Sequence, residues 1–234
     1  MKNLFITATD TDAGKTFVTC ALAQALKSAG KKVATYKPIS AGCQQTVEGL
    51  INEDAELLCR FANAKQTIKE INPIAFVDSI APHIAAKQTN QEISLADINH
   101  YFASVVSLSA DINLTEGAGG WRLPLSIEKK TFLSDFAVTT KQQVILVVNM
   151  KLGCLNHALL TYEAIKADGL SCVGWVANQA SVSTMANLTQ NITSLEQLLP
   201  MPKLAVLTFD DTKQTLSAKI ISAAKKINIE PLIS

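Results

Sequence analysis

The sequence predicts an α/β fold, a mostly parallel sheet doubly wound by helices on both faces. Two observations carry that expectation. Short apolar, β-branched runs alternate with helix-like segments along nearly the whole chain, the pattern of strands joined by crossover helices. The clearest run, residues 143–148 (QVILVV), is apolar without alternation, as a strand buried on both faces must be. With 234 residues, 48% hydrophobic and 18% charged, the chain can bury a full core. No internal repeat, low-complexity tract or composition shift marks a linker, so residues 1–234 are read as one domain.

Residues 4–7 (LFIT) form the first expected strand. Residues 16–29 follow as a helix, with Val18, Leu22, Ala25 and Leu26 at helical spacing and Gly30 as its stop. Residues 32–37 (KVATYK) make a second strand that Pro38 ends. Further strands are expected at 111–115 (DINLT), 143–148, 172–177 (CVGWVA) and 203–207 (KLAVL). Helices are expected at 55–62, 95–108, 131–138, 158–167, 185–199 and 214–227, and Ser94 with Asp97 resembles a cap at the start of the second. Residues 73–89 are the least regular.

The first strand runs into FITATDTDAGKT, whose Gly14, Lys15 and Thr16 end the phosphate-loop pattern G-x-x-x-x-G-K-[ST]. Strand, loop and helix in that order give a P-loop NTPase-like core. In such a loop backbone N–H groups cradle phosphate at a helix start, the lysine meets the terminal phosphates, and the hydroxyl holds Mg²⁺. Thr9 stands where the first glycine of the pattern belongs. The glycine beside the lysine is the one that backbone geometry demands. A short G-K-T also arises by chance, so other clusters must decide.

Glu116 closes an apolar strand, at the sheet edge where ligands of open α/β sheets gather. Behind it Gly117, Gly119 and Gly120 take three of the ten glycines in the chain, which fits either a close backbone approach or a plain turn. Asp54 completes an oxygen set with Thr16 and Glu116 that suits Mg²⁺, and reads equally as a helix N-terminal carboxylate. Lys37 ends the second strand, either as a solvated strand end or as a second cation for a phosphoryl group in transfer.

Composition removes other classes. A net charge of +1 leaves no basic stripe for nucleic acid and no polybasic membrane anchor. The five cysteines are dispersed, without C-x-x-C, which argues for reduced thiols in a cytoplasmic protein. Polar residues follow the first apolar run at once, so no signal peptide or membrane span is expected. His100 and His157 lack a second histidine at ligand spacing, and His83, Trp121 and Trp175 read more simply as packing residues.

Taken together TATDTDAGKT, YKPISAG, NED at Asn52 to Asp54, TEGAGGW, VVNMKLGCLNHALL and GWVANQ resemble the dethiobiotin synthetase family, in order from Thr7 to Gln179. The resemblance implies a single-domain P-loop enzyme, a homodimeric carbon–nitrogen ligase. It would close the ureido ring of dethiobiotin from 7,8-diaminononanoate, CO₂ and ATP with Mg²⁺. By resemblance Asp12, Ala13, Gly14, Lys15, Thr16 and Phe17 hold the triphosphate, and Thr16, Asp54 and Glu116 surround Mg²⁺. Lys37 and Lys15 are the catalytic lysines, and Glu116, Gly117, Ala118 and Gly119 face the nucleotide. Asn178 and Gln179 meet the adenine, with Thr208, Phe209 and Asp210 as a second base loop.

Substrate contacts fall by the same resemblance on Ser40 and on Gly153, Cys154, Leu155 and Asn156, which in the family reach the site from the partner subunit. Asn156 also reads as a plain helix cap. The family usually places Ser or Thr where this chain has Ala41, so its serine, Ser40, sits one residue early and points differently. Asp12 replaces a frequent glutamate and Thr208 a frequent proline. Two other classes remain to be weighed: a partitioning-type ATPase switch, which carries an extra lysine early in the loop, and a small-molecule kinase with an arginine-rich lid. Here the early loop is TDTDA, and the chain has only Arg60 and Arg122.

Overall fold

A computed structural model describes residues 1–182, 185–212 and 214–233. Six strands form one sheet: β1 (Lys2–Ala8), β2 (Val33–Tyr36), β3 (Ile112–Glu116), β4 (Gln143–Asn149), β5 (Cys172–Asn178) and β6 (Lys203–Leu207). Their order is β6-β5-β4-β1-β3-β2, and every neighbouring pair is parallel. All six coincide with expected strands to within two residues at either end.

Among the described residues, eight helices of seven or more residues wrap the sheet. They are α1 (Lys15–Ser28), α2 (Glu53–Phe61), α3 (Pro82–Gln88), α4 (Leu95–Ser107), α5 (Leu133–Thr139), α6 (Cys154–Ala167), α7 (Leu188–Leu198) and α8 (Leu216–Ala224). The pleat of β1 divides the core. Leu4, Ile6 and Ala8 face one side, against α1, α2 and α8, while Phe5 faces the other, against α4 and α5. A third cluster packs α6 and α7 on Leu146, Val148 and Trp175. Val18, Leu22, Ala25 and Leu26 are buried as their spacing predicts. Ser94 caps α4 by accepting the Asp97 N–H at 3.0 Å.

Departures from the expected elements have local causes. Thr131–Phe132 pairs with Pro124–Ser126 as a short antiparallel ribbon, so α5 starts two residues later than periodicity suggests. Asp135 accepts the Phe132 N–H at 2.8 Å and fixes that start. Helix α6 begins a turn early because Gly153 takes the left-handed conformation. The irregular residues 73–89 contain α3 and the strand Ile74–Ala75, which pairs in parallel with Ile39–Ser40. Among the described residues no helix is long and apolar enough to cross a membrane.

β1 lies between β3 and β4, the point at which the chain reverses its direction across the sheet. Ligand crevices of open parallel sheets form at the carboxyl ends of strands at such a point. Here those ends deliver the loop after β1, Lys37 after β2, Glu116 of β3 and Asn178 of β5.

Candidate active site

The loop between β1 and α1 is held from below. Thr9 donates its N–H to the Val147 carbonyl at 3.0 Å, and its hydroxyl accepts the Asn149 N–H at 3.1 Å. At the position of the missing glycine, the threonine thus ties the loop to β4. Asp12 and Gly14 have positive φ, 57° and 80°, conformations that turn backbone amides into an anion-binding concavity. A Cβ on Gly14 would lie 2.3 Å from Asn178 Nδ2, so no other residue fits without movement. Ala13 is buried, and its carbonyl accepts from that same Nδ2 at 2.7 Å.

The cationic centre is built from four elements, the ends of β2 and β3 and the first turns of α1 and α2. Lys37 Nζ lies 2.7 Å from Glu116 Oε1 and 2.9 Å from Asp54 Oδ2. Thr16 donates its hydroxyl to the same Glu116 oxygen at 2.8 Å. Glu116 is 1% exposed, and its second oxygen, Oε2, has no partner among the described residues. Burial pushes the Lys37 ammonium toward neutrality, but Glu116 and Asp54 together outweigh it and hold the pKa above that of ordinary lysine. Burial opposes ionisation of Asp54 too, and Lys37 reverses the balance, keeping that carboxyl below its usual range.

Lys15 turns to the glycine-rich loop, donating to the Gly119 carbonyl at 2.7 Å. Burial depresses its pKa, with Glu116 opposing and Lys37 adding to the depression. The glycine-rich loop is itself anchored. Trp121 donates to Asp168 Oδ2 and Arg122 to Oδ1, each at 2.8 Å. Gly117 is required by packing, because a Cβ there would stand 2.9 Å from the Phe5 ring.

A cavity of about 920 Å³ joins these parts. Of the expected nucleotide residues, Asp12, Gly14, Lys15, Thr16, Phe17 and Asp54 line it, as do Glu116, Gly117, Ala118 and Gly119. Asn178, Gln179, Thr208, Phe209 and Asp210 line it as well, whereas Ala13 lies beneath. One N–H of the Asn178 amide is given to Ala13, and Gln179 Nε2 is buried with no partner among the described residues. Lys219, to which the sequence reading gave no role, donates to the Asp210 carbonyl at 2.6 Å and carries the 208–210 loop.

The substrate residues expected from resemblance behave differently. Ser40 lines the cavity, but its hydroxyl is given to Asn72 Oδ1 at 2.6 Å, and Asn72 in turn donates to the Lys37 carbonyl at 2.8 Å. Ser40 therefore braces the backbone of Lys37. Among the described residues Gly153, Cys154, Leu155 and Asn156 do not line the cavity of their own chain. Cys154 is 1% exposed in the core beside α6, and its N–H is bonded to the Lys151 carbonyl at 3.0 Å. An ion pair between Lys151 and Asp10 connects this segment to the phosphate loop.

A family model described as an AAA domain matches residues 2–213. The ATP-dependent dethiobiotin synthetase BioD of Alteromonas mediterranea is 46% identical over 217 residues, 89% of this chain and 93% of that protein. The BioD of Pseudomonas aeruginosa strain LESB58 is 44% identical over 202 residues, 86% and 87% of the two chains. This chain belongs to the dethiobiotin synthetase family. A third member, from Marinobacter nauticus, is 42% identical over 98% of this chain and 97% of its own. Among solved structures, the MinD cell division protein of Aquifex aeolicus aligns with a TM-score of 0.56 at 14% identity, covering 96% of each chain. A ParA family ATPase from Chlorobium tepidum aligns with a TM-score of 0.55 at 14% identity, covering 96% of this chain and 99% of that one. At that identity the likeness establishes the P-loop NTPase fold alone.

Proposed function

We propose that this chain is a dethiobiotin synthetase, closing the ureido ring of dethiobiotin from 7,8-diaminononanoate, CO₂ and ATP. The observation that carries the reading is the convergence of Lys37, Glu116, Asp54 and Thr16 beside the phosphate loop. An amine of the substrate adds to CO₂ and loses a proton, giving a carbamate. A carbamate oxygen then attacks the γ-phosphorus, forming a mixed carbamic–phosphoric anhydride and releasing ADP. The neighbouring amine attacks the activated carbonyl, and ring closure expels phosphate and a proton. Without phosphorylation the carbonyl would have to lose an oxide leaving group, which is why ATP is consumed.

In this reading Lys15 and Lys37 spread the charge of the phosphoryl group in transfer, a purely electrostatic contribution. Lys37 suits the task because its carboxylate neighbours keep it charged although it is buried. Thr16, Asp54 and Glu116 would hold Mg²⁺, which when bound neutralises β- and γ-phosphate oxygens. The donor set fits that ion: two carboxylates and a hydroxyl, one of the carboxylate oxygens buried and unpartnered. The loop from Asp12 to Phe17 takes the triphosphate, Ala13 through its backbone, and the base lies toward Asn178, Gln179 and Thr208 to Asp210. We place the enzyme in the cytoplasm as a homodimer, with Gly153, Cys154, Leu155 and Asn156 offered to the neighbouring subunit's site.

The test is direct. Protein incubated with 7,8-diaminononanoate, bicarbonate and MgATP is expected to form dethiobiotin, detected by mass spectrometry. ATP hydrolysis without that product, at a rate indifferent to the diamine, would overturn the reading.

A further inference from the structure

The Lys37 end of the cavity is short of side chains free to bind an amine. Ser40 is committed to Asn72, Thr16 to Glu116, and Asn52 caps α2 by accepting the Asp54 N–H. Thr11 stands over Gly119, at the phosphate loop. One further hydroxyl lines this end. Ser79 lies on the exposed loop before α3, and no described residue is hydrogen-bonded to its Oγ.

Its position is built into the fold. Ile39–Ser40 pairs in parallel with Ile74–Ala75, so the chain after Lys37 and the chain leading to Ser79 leave side by side. Two more bonds continue the association: Cys43 N–H to the Phe76 carbonyl at 2.9 Å, and Gly42 N–H to the Asp78 carbonyl at 3.3 Å. Gly42 has φ +73°, and a Cβ built there would lie 3.4 Å from both Cβ and Oγ of Ser79. The serine thus rests against the backbone turn that follows Ser40 and Ala41, and its hydroxyl has no competitor among the described residues.

From this geometry we infer that Ser79 Oγ holds a substrate amine at the Lys37 end of the cavity. The inference rests on the proposed ligase reading. A hydroxyl accepts one amine N–H while leaving the nitrogen lone pair for attack on CO₂ or on the activated carbonyl. A carboxylate at this place would favour the ammonium form, which is not a nucleophile. Ser79 is a substrate-positioning residue, and it moves no proton in the chemical steps.

Steady-state kinetics of Ser79→Ala, Ser79→Val and Ser79→Thr test the inference, with KM for the diamine and for ATP measured separately. Ala and Val are expected to raise the diamine KM about three- to tenfold, the weight of one hydrogen bond, with the ATP KM unchanged. Thr keeps the hydroxyl and is expected to stay within about twofold of wild type. An unchanged diamine KM in Ser79→Ala, or an equal rise in Thr and Val, overturns the inference while the ligase reading stands. A wild-type protein that makes no dethiobiotin removes the ligase reading itself, a different result in the same assay.

Discussion

Lys37 and Thr16 meet on one oxygen: Glu116 Oε1 accepts from the lysine ammonium at 2.7 Å and from the threonine hydroxyl at 2.8 Å. The contact joins the end of β2, the first turn of α1 and the end of β3, elements that are consecutive in the sheet or directly packed on it. A buried carboxylate with two donors on one oxygen, and none among the described residues on the other, organises the centre.

Lys37→Met tests that arrangement. Turnover is expected to fall about 10²- to 10³-fold, as when one preorganised charge-stabilising donor is removed, while ATP affinity changes far less. An equal loss of both would make Lys37 a nucleotide anchor. Because Glu116 would be left buried without its ammonium partner, stability should drop by about 3–5 kcal/mol in denaturant melts. Adding Glu116→Gln should restore most of that stability without restoring turnover.

Gly14→Ala should abolish nucleotide binding. Its Cβ would collide with Asn178 Nδ2 at 2.3 Å, and the left-handed backbone adds a cost of about 1–2 kcal/mol. Asn178→Ala clears the collision but leaves the backbone cost, and it strips the Ala13 carbonyl of its donor. Calorimetry on the double variant should therefore still show no tight MgATP binding. Recovery to wild-type affinity would mean that the side-chain collision alone governs this position.

The main sheet was legible because parallel strands buried on both faces leave unbroken apolar runs, such as residues 143–148, and because glycines and prolines punctuate them. The phosphate loop, Lys37, Asp54 and Glu116 were legible because each sits at a strand end or helix start. What sequence could not supply are side-chain bonds between distant segments: Asn178 to Ala13, Ser40 to Asn72, Lys219 to Asp210. Local pattern carries no trace of such partners. Ser40 shows the consequence, since a serine near the family's usual hydroxyl position is turned away by an asparagine that no motif marks.

Asp168, at the end of α6, touches nothing in the cavity yet accepts from both Trp121 and Arg122. Asp168→Ala should loosen the loop whose Gly119 carbonyl holds Lys15, raising the KM for ATP about tenfold with kcat affected less. Asp168→Asn, which can still accept the indole N–H, should lie between. A variant with wild-type KM would show that the glycine-rich loop keeps its shape without this anchor.

Lys15 carries a pH consequence. Its folded pKa lies below the 10.5 of ordinary lysine, chiefly through burial. Between those two values the unfolded chain binds more protons than the folded one, so this residue makes stability rise with pH across that window. Triphosphate beside the amine restores the charge, so MgATP binding should take up protons just below the ordinary lysine value. Titration calorimetry in buffers of different ionisation enthalpy measures the uptake. Proton release, or none, would contradict a lysine depressed in the free enzyme and charged in the complex.

Subunit sharing can be decided by mixing. Gly153, Leu155 and Asn156 stand outside their own chain's cavity, with Leu152 beside them 93% exposed. If this segment completes the neighbouring subunit's site, a dimer of one Lys15→Ala chain and one Asn156→Ala chain contains one site with both lesions and one with neither. Each variant alone should be inactive, because each of its sites carries the lesion. After mixing and exchange, random pairing makes half the dimers mixed, and one intact site in each gives about one quarter of wild-type activity. Sites built within single chains would give no recovery, since every Lys15→Ala site and every Asn156→Ala site would keep its own defect.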